Sequence, residues 1–165
     1  MAYTQSTKPV VFIGAAGQMC RIAIERFAIA SNAPLILADI DTSILDSLAS
    51  KLPKGRATIA KVDLFDRPSL IKAIQGAALV VLGAGPYIRT VEPVLTACLE
   101  AKVPYLDFDD DIESTQAALS LLDKAKEAGI PCYIGCGISP GLSNVLAIDV
   151  AKELDTVDTI DLCWL

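Results

Sequence analysis

The chain contains 165 residues, 53% of them hydrophobic, and carries a formal net charge of −6. This length and composition support a sizeable buried core and exclude a disordered chain, and the negative charge with 14 scattered basic residues argues against nucleic acid as a partner. Because the apolar runs are far shorter than the roughly 20 residues that cross a bilayer, and residues 1–8 lack the apolar centre of a secretory signal, we expect a cytoplasmic protein that does not bind membranes.

The first predicted element is a strand over residues 10–13, which runs into a turn of small residues. A helix over residues 17–30 and a second strand over residues 35–39 complete a βαβ unit of the kind that binds a dinucleotide at its first turn. Backbone N–H groups of such a turn, together with the positive end of the helix, face a pyrophosphate. We therefore predict cofactor contacts at the turn residues Gly14, Ala15, Ala16, Gly17, Gln18 and Met19.

The glycine pattern of this turn departs from Gly-x-Gly-x-x-Gly, since Ala16 and Met19 occupy its second and third positions. Read instead as Gly-x-x-Gly-x-x-Gly, it has Cys20 at its last position. The alternative interpretation is an α/β fold that uses Gly14 and Gly17 only to make a tight turn. In the helix that follows, the apolar spacing predicts a sheet-facing side formed by Met19, Ile22, Ala23 and Phe27.

The remaining elements alternate in the same way. We predict strands over residues 56–62, 77–82, 103–108 and 130–134, and helices over residues 42–50, 67–74 and 90–101. A long helix ends at Gly129, and a last helix begins at Ser139 and Pro140, a good cap followed by a good first helical residue. Six strands in two βαβαβ halves predict an α/β Rossmann fold, a doubly wound parallel sheet of order 3-2-1-4-5-6 in three αβα layers.

Ligands of this topology bind at the carboxyl ends of the strands. We therefore add to the cofactor site the strand-end residues Asp39, Ile40, Asp63, Leu64, Gly83, Ala84, Gly85 and Pro86. The cofactor is predicted to be NAD, because Asp39 would repel a 2′-phosphate and no basic residue follows it before Lys51. NADP is the open alternative, with Arg56 or Lys61 reaching over from the third strand.

Three further residues at strand ends face the predicted cleft and are candidates for catalysis: Tyr87, Asp107 and Ser139. Each has a structural alternative, respectively a packed aromatic ring, a strand-end turn and a helix cap. Two alternative interpretations of the acidic residues 107 and 109–111 are a metal site and recruitment of an ammonium group by Asp107 or Asp109. Helix capping is the favoured interpretation, because Asp110 and Glu113 have the spacing of a capping box.

The five cysteines form no Cys-x-x-Cys pair, and the sequence contains no histidine. We predict no metal site and interpret the cysteines as reduced, mostly buried residues, as expected in the cytoplasm. Without histidine, this chain by itself excludes a histidine triad and a histidine general base. Cys136, between two glycines at a predicted strand end, is the candidate for a reactive thiol.

Near the carboxyl terminus, apolar residues alternate in the manner of a strand at Val157, Ile160, Leu162 and Trp164. We interpret residues 1–155 as a dinucleotide-binding domain and residues 156–165 as the start of a strand that leads into a second, substrate-binding domain. A homodimer would form through that second domain.

Several segments of the second half carry a resemblance to a known family. They are Gly85-Pro86-Tyr87 and residues 92–98, 103–107 and 137–144, the last reading Gly-Ile-Ser-Pro-Gly-Leu-Ser-Asn. Over residues 8–162 the chain is similar to the nucleotide-binding domain of the saccharopine dehydrogenase-like family, and also to lysine 6-dehydrogenases and carboxynorspermidine-type enzymes. The resemblance implies an NAD(P)-dependent oxidoreductase that acts at a C–N bond of a small amino acid or amine. It also places most substrate contacts in the second domain, so we expect an isolated fragment to be inactive.

A different class of function shares the glycine turn. Short-chain dehydrogenases need Tyr-x-x-x-Lys, and none of the four tyrosines has lysine four residues later. The alternative function is therefore a non-catalytic NAD(P)-sensing regulatory module, either NmrA-like or associated with a transporter.

Overall fold

The computed structural model describes residues 7–163 and contains one six-stranded parallel sheet of order β3-β2-β1-β4-β5-β6. The strands are β1 (Val10–Ile13), β2 (Leu35–Asp39), β3 (Ala57–Lys61), β4 (Leu79–Leu82), β5 (Tyr105–Asp107) and β6 (Cys132–Tyr133). The helices are α1 (Gln18–Ala30), α2 (Leu45–Ser50), α3 (Arg67–Ile74), α4 (Tyr87–Ala101), α5 (Ile112–Leu119), α6 (Leu122–Ala128) and α7 (Leu142–Ala151). The predicted doubly wound parallel sheet is confirmed.

The core consists of two apolar layers, one on each face of the sheet. On β1, Val11 and Ile13 pack into the layer that contains α3 and α4, whereas Val10 and Phe12 pack into the layer that contains α1 and α2. A strand covered on both faces needs apolar residues at every position, which is why the central strands read as continuous apolar runs. The three-layer αβα arrangement follows from this burial.

The side of α1 that faces the sheet differs from the predicted one. Cys20 and Ile24 are its buried residues, and Phe27 packs edge-on against Phe12 with ring centroids 5.8 Å apart. Met19 and Ile22 are instead 58% and 51% exposed. The helix is rotated so that Cys20, rather than Met19, lies against Gly83 directly after β4.

Three helix boundaries also differ from expectation. α4 begins at Tyr87 rather than at residue 90, so Pro93 lies beyond its first turn. The predicted long helix is divided into α5 and α6, although Gly129 ends α6 in the left-handed conformation as expected. The last helix begins at Leu142, because residues 137–141 form a turn in which the Gly137 carbonyl accepts the N–H of Leu142 at 3.1 Å. Ser139 and Pro140 therefore precede the helix instead of opening it.

The predicted carboxyl-terminal strand is absent from residues 156–163, and the remaining residues 164–165 lie outside the described part of the chain. Val157, Ile160 and Leu162 are exposed, and together with α7 they line an apolar groove of about 530 Å³. The division into two domains stays a prediction. No helix within residues 7–163 is both long and apolar enough to cross a membrane.

Candidate functional site

A cavity of about 460 Å³ opens at the carboxyl ends of β1, β2, β3 and β4. The predicted cofactor residues that line it are Gly14, Gly17, Asp39, Ile40, Asp63, Leu64, Gly83, Ala84, Gly85 and Pro86. Sequence reasoning missed other lining residues, namely Ile13, Val62, Phe65, Arg89 and Thr90. The parallel topology thus brings four separate segments of the chain to one cavity.

The turn after β1 has the geometry of an anion cradle. Gly14 has a φ of +80°, and a Cβ at this position would lie 2.6 Å from the backbone nitrogen of Ala84. The N–H of Gly17 donates to the Gly14 carbonyl at 2.9 Å and closes the turn. The first N–H groups of α1, from Gln18 to Cys20, have no partner within the helix, and its first turn contains no acidic residue. This arrangement suits a pyrophosphate.

The close contact between α1 and the sheet is made without a third glycine on the helix. Cys20 is buried, and a Cβ at Gly83 would lie 2.9 Å from both its Cβ and its Sγ atoms. The small residue at this contact is therefore Gly83 of the β4–α4 loop. Burial, and to a lesser extent the charge of Asp39, raises the pKa of the Cys20 thiol to about 12, so this thiol stays neutral.

Asp39 connects the end of β2 to the turn. Its Oδ2 atom accepts the N–H of Ala16 at 2.9 Å, and its Oδ1 atom accepts the N–H of Asp41 at 3.1 Å. A carboxylate has about four acceptor sites, so Asp39 keeps acceptor capacity for ribose hydroxyls. Of the remaining predicted turn residues, Ala15 is buried, and Gln18 is exposed outside the cavity lining.

The basic residues considered for a 2′-phosphate lie in different places. Arg56 donates through Nε to the Ala33 carbonyl at 2.6 Å and through its guanidinium to the Ser31 carbonyl, at the amino end of β2. It is therefore at the opposite edge of the sheet from the cavity. Lys61 lies beside Asp39 in the strand register and is therefore the basic residue of β3 next to the carboxylate predicted to bind the ribose.

Phe65 and Arg89 form the wall of the cavity that extends from the end of β3 to α4. The N–H of Phe65 donates to Oδ1 of Asp63 at 2.9 Å. Arg89 lies in the first turn of α4, which sequence reasoning placed in a loop. The available signal for Phe65 was its position directly after the predicted strand-end residues Asp63 and Leu64.

A second cavity of about 490 Å³ contains two of the three catalytic candidates. It is lined by Met19, Ile22, Ala23, Tyr87, Phe108, Asp110, Cys136, Gly137, Ile138 and Ser139. Burial, followed by the charges of Asp107 and Asp110, raises the pKa of Tyr87 to about 12. The phenol is therefore protonated at neutral pH and can donate a hydrogen bond. Ser139 accepts a hydrogen bond from the Ser143 hydroxyl at 3.1 Å.

Asp107, the third catalytic candidate, does not face either cavity. It is fully buried and accepts hydrogen bonds from the Tyr105 hydroxyl at 2.8 Å, the Gly135 N–H at 2.7 Å and the Asp109 N–H at 3.2 Å. Burial raises the pKa of this carboxyl. Its geometry fixes the segment after β6 to β5, so Asp107 supports the second cavity from behind and is not positioned to contact a ligand.

The acidic run after β5 caps α5, one residue later than predicted. Asp111 is the cap, and its Oδ1 atom accepts the N–H of Ser114 at 2.9 Å. Asp109 is buried and accepts the Thr115 hydroxyl at 3.0 Å, in addition to the Ser114 hydroxyl. Both Asp107 and Asp109 are thus buried and hydrogen-bonded within the chain, an arrangement that does not support recruitment of an ammonium group by either carboxylate. Asp110 is the exposed carboxylate that lines the second cavity.

One family model matches most of the chain. The model described as the saccharopine dehydrogenase NADP binding domain matches residues 10–132. Carboxyaminopropylagmatine dehydrogenase of Synechocystis sp. is 29% identical over 164 residues, covering 92% of this chain and 41% of the relative. Carboxynorspermidine synthase of Vibrio cholerae is 31% identical over 118 residues, covering 62% of this chain and 28% of the relative. The chain thus spans less than half the length of these relatives.

A solved structure of saccharopine dehydrogenase (L-Glu forming) from Saccharomyces cerevisiae has the same fold. Its TM-score is 0.75 at 20% sequence identity, and the match covers 88% of this chain and 31% of that chain. A short-chain dehydrogenase/reductase from Veillonella parvula matches less well, with a TM-score of 0.54 at 15% identity over 78% of this chain and 68% of that chain.

Proposed function

Because this chain belongs to the family of saccharopine dehydrogenase NADP-binding domains, we propose that it is the cofactor-binding part of an oxidoreductase that acts at a C–N bond of an amine or amino acid. The observation that carries the proposal is the cavity at the ends of β1 to β4, where the glycine turn, Asp39 and the β4–α4 loop come together. This is the position at which doubly wound folds bind dinucleotides.

The residues present fit NAD(P). The turn from Gly14 to Gly17 and the free N–H groups of α1 would hold the pyrophosphate, and the Asp39 carboxylate would accept ribose hydroxyls. When bound, the nicotinamide exchanges a hydride with a carbon that is bonded to nitrogen. The family is named for NADP, whereas Asp39 supports NAD, so NAD remains our proposal for the preferred form.

The second cavity supports a cationic amine as the substrate. Asp110 supplies an exposed carboxylate, Tyr87 supplies a hydrogen-bond donor, and the described residues that line the cavity include no basic side chain. An ammonium group would gain from the carboxylate and meet no repulsion there. Two relatives carry carboxyaminopropylagmatine and carboxynorspermidine, both amines, in their names, which agrees with this class.

The carboxyl-terminal helix supports a second domain. Ser143 is the one buried residue of α7, whereas Val145, Ile148 and Val150 are all at least 60% exposed. Exposed apolar surface of this extent usually marks an interface. We infer that a substrate domain covers α7, that any homodimer forms through that domain, and that the isolated chain binds the cofactor without turnover.

The protein is assigned to the cytoplasm within the same proposal. All five cysteines are free thiols, which suits a reducing compartment.

Calorimetric titration of the chain with NADH and NADPH tests the proposal. Beside it, an absorbance assay follows reduction of NAD+ or NADP+ in the presence of lysine, saccharopine or carboxynorspermidine. We expect binding of at least one dinucleotide and no turnover. Absence of binding for both would overturn the proposed function, and turnover by this chain alone would overturn the need for a second domain. Lys124→Gln, an exposed change on α6 outside both cavities, is the control and is expected to bind like the wild type.

A further inference from the structure

The second cavity is lined in part by two segments that follow neighbouring strands. Phe108 and Asp110 belong to the loop between β5 and α5, whereas residues 136–139 belong to the segment after β6. The pairing of the two strands ends at Leu106 and Tyr133, before either segment reaches the cavity. The relative position of the two segments therefore depends on contacts that are made after the strands end.

One carboxylate oxygen joins these two segments. Oδ1 of Asp107 accepts the N–H of Asp109 at 3.2 Å, in the loop before α5, and the N–H of Gly135 at 2.7 Å, in the segment after β6. The backbone carbonyl of Asp107 also accepts the N–H of Cys136 at 2.9 Å. The same residue thus holds two consecutive N–H groups of the segment after β6 and one N–H group of the loop before α5.

The surroundings of this contact leave little room for another arrangement. Asp107 has no exposed surface, and its Oδ2 atom accepts the Tyr105 hydroxyl at 2.8 Å. Gly135 has a φ of +69°, and a Cβ there would lie 3.1 Å from Cγ of Pro140 and 3.4 Å from the Asp109 carbonyl oxygen. Because a buried N–H group without an acceptor is costly, loss of the Asp107 side chain favours movement of the two segments toward water.

We propose that Asp107 is a positioning residue of the second cavity, whose Oδ1 atom holds the Asp110 loop and residues 136–139 in the relative position that binds an amine. The inference rests on the proposed function, which places a cationic amine in this cavity. Asp107 acts as a hydrogen-bond acceptor and not as the charge that attracts the ammonium group, because it is buried behind the lining, whereas Asp110 is exposed in it. An asparagine amide also offers an oxygen acceptor, so asparagine is expected to replace Asp107 in this role and alanine is not.

Protection of Cys136 from a thiol reagent measures binding in the second cavity. Cys136 lines that cavity, whereas Cys163 is an exposed thiol that does not. Iodoacetamide labelling of both thiols is followed by peptide mass spectrometry at constant ionic strength, and the rate at Cys136 is divided by the rate at Cys163. Norspermidine, used as the cationic amine, is expected to lower this ratio in the wild type. Its half-protecting concentration measures the affinity of the cavity.

The half-protecting concentration is expected to rise about tenfold in Asp107→Ala, because two buried N–H groups lose their acceptor and the segments separate. In Asp107→Asn it is expected to stay within about twofold of the wild type, since the amide keeps the acceptor without the charge. The matched control is Ser114→Ala, which removes a buried hydroxyl that donates to Asp109 at 2.6 Å and leaves the hydrogen bonds of Asp107 in place. This control is also expected to stay within about twofold.

Three outcomes would overturn the positioning role while leaving the amine site intact. They are an unchanged half-protecting concentration in Asp107→Ala, an equal rise in Asp107→Ala and Asp107→Asn, and an equal rise in Asp107→Ala and Ser114→Ala, which would show general loosening of the buried polar cluster. If Asp107→Ala does not fold, a rise of about tenfold in Asp107→Asn overturns the role, and wild-type protection in that variant supports it. Absence of protection in the wild type would overturn the amine site of the proposed function and the positioning role together, whereas titration with NADH and NADPH tests the cofactor site separately.

Discussion

Replacement of Gly14 by alanine is expected to destabilise the fold more than the same replacement at Gly55 or Gly76. The three glycines share nearly the same backbone conformation, with φ values of +80°, +77° and +75°. They differ in their surroundings. A Cβ at Gly55 or Gly76 would have no neighbour within 4 Å, whereas a Cβ at Gly14 would meet the Ala84 nitrogen at 2.6 Å and its Cα at 2.7 Å.

The expected magnitudes follow from these two conditions. A left-handed conformation costs a residue with a Cβ about 1–2 kcal/mol, and this cost applies at all three sites. At Gly14 the contact with Ala84 adds about 1–3 kcal/mol of overpacking, because the neighbouring Gly83 N–H donates to the Ile13 carbonyl at 2.8 Å and prevents the loop from moving away. Gly14→Ala is therefore expected to lose about 2–5 kcal/mol of unfolding free energy, and each control about 1–2 kcal/mol.

Urea unfolding followed by circular dichroism measures these differences, and titration with NADH reports on the site itself. The controls are expected to bind NADH like the wild type, whereas Gly14→Ala displaces the phosphate turn and weakens binding. Equal stability losses at the three positions would refute the close approach of the β1–α1 turn and the β4–α4 loop. Full NADH affinity in a folded Gly14→Ala variant would remove this turn from the cofactor site.

Three further outcomes are expected. NAD is expected to bind about ten- to a hundredfold more tightly than NADP, because a 2′-phosphate beside Asp39 meets a repulsion of about 1–3 kcal/mol. The double change Asp39→Ser with Ile40→Arg is expected to shift the preference toward NADP, and paired titrations that show an NADP preference in the wild type would contradict this placement of Asp39. Burial raises the pKa of Asp107 above its usual 3.8, so the stability that this carboxyl supplies is complete below its unfolded pKa and is lost as the pH rises through its folded pKa. In urea unfolding between about pH 4 and pH 8, the free energy of unfolding of Asp107→Asn is therefore expected to rise relative to that of the wild type as the pH rises. Parallel curves of unfolding free energy against pH would contradict the raised pKa. Thiol labelling near neutral pH is expected to modify the exposed Cys136 and Cys163 first. The buried Cys20 and Cys98, whose thiol pKa values are raised by burial, are expected to react only on unfolding, and equal labelling rates for these four cysteines would contradict their described burial.

The strand order could be predicted because each central strand is a short apolar run that is covered on both faces, with connectors too short for other arrangements. Helix starts were harder, because they depend on contacts between distant residues. Thr90 resembles a helix cap, yet it lies inside a helix that has already begun at Tyr87. Its hydroxyl donates back to the Ala84 carbonyl, which precedes the helix. Likewise, the φ of +123° at Gly141 belongs to a turn whose shape the Ser139-Pro140 signal does not encode.

The site was predictable where the backbone of a strand end defines it, and less so where a side chain crosses the cavity. Gly14, Asp39 and Gly83 follow from topology alone, since every strand of a parallel sheet delivers its end to the same edge. Arg89 reaches the cavity from a helix, and Asp107 turns away from it into a buried hydrogen-bonded cluster. Neither orientation is determined by spacing along the chain.

The contact between Cys20 and Gly83 has a consequence for how nucleotide-binding motifs are searched and redesigned. The two residues are 63 positions apart but share one small volume, where a Cβ at residue 83 would lie 2.9 Å from the cysteine. The requirement for a small residue therefore belongs to the pair and not to either position. A motif confined to the first loop counts Cys20 as a mismatch, although the small residue at this contact is Gly83 of another segment. Gly83→Ala is accordingly expected to be tolerated only together with Cys20→Gly, so the two positions are best varied jointly in designed libraries.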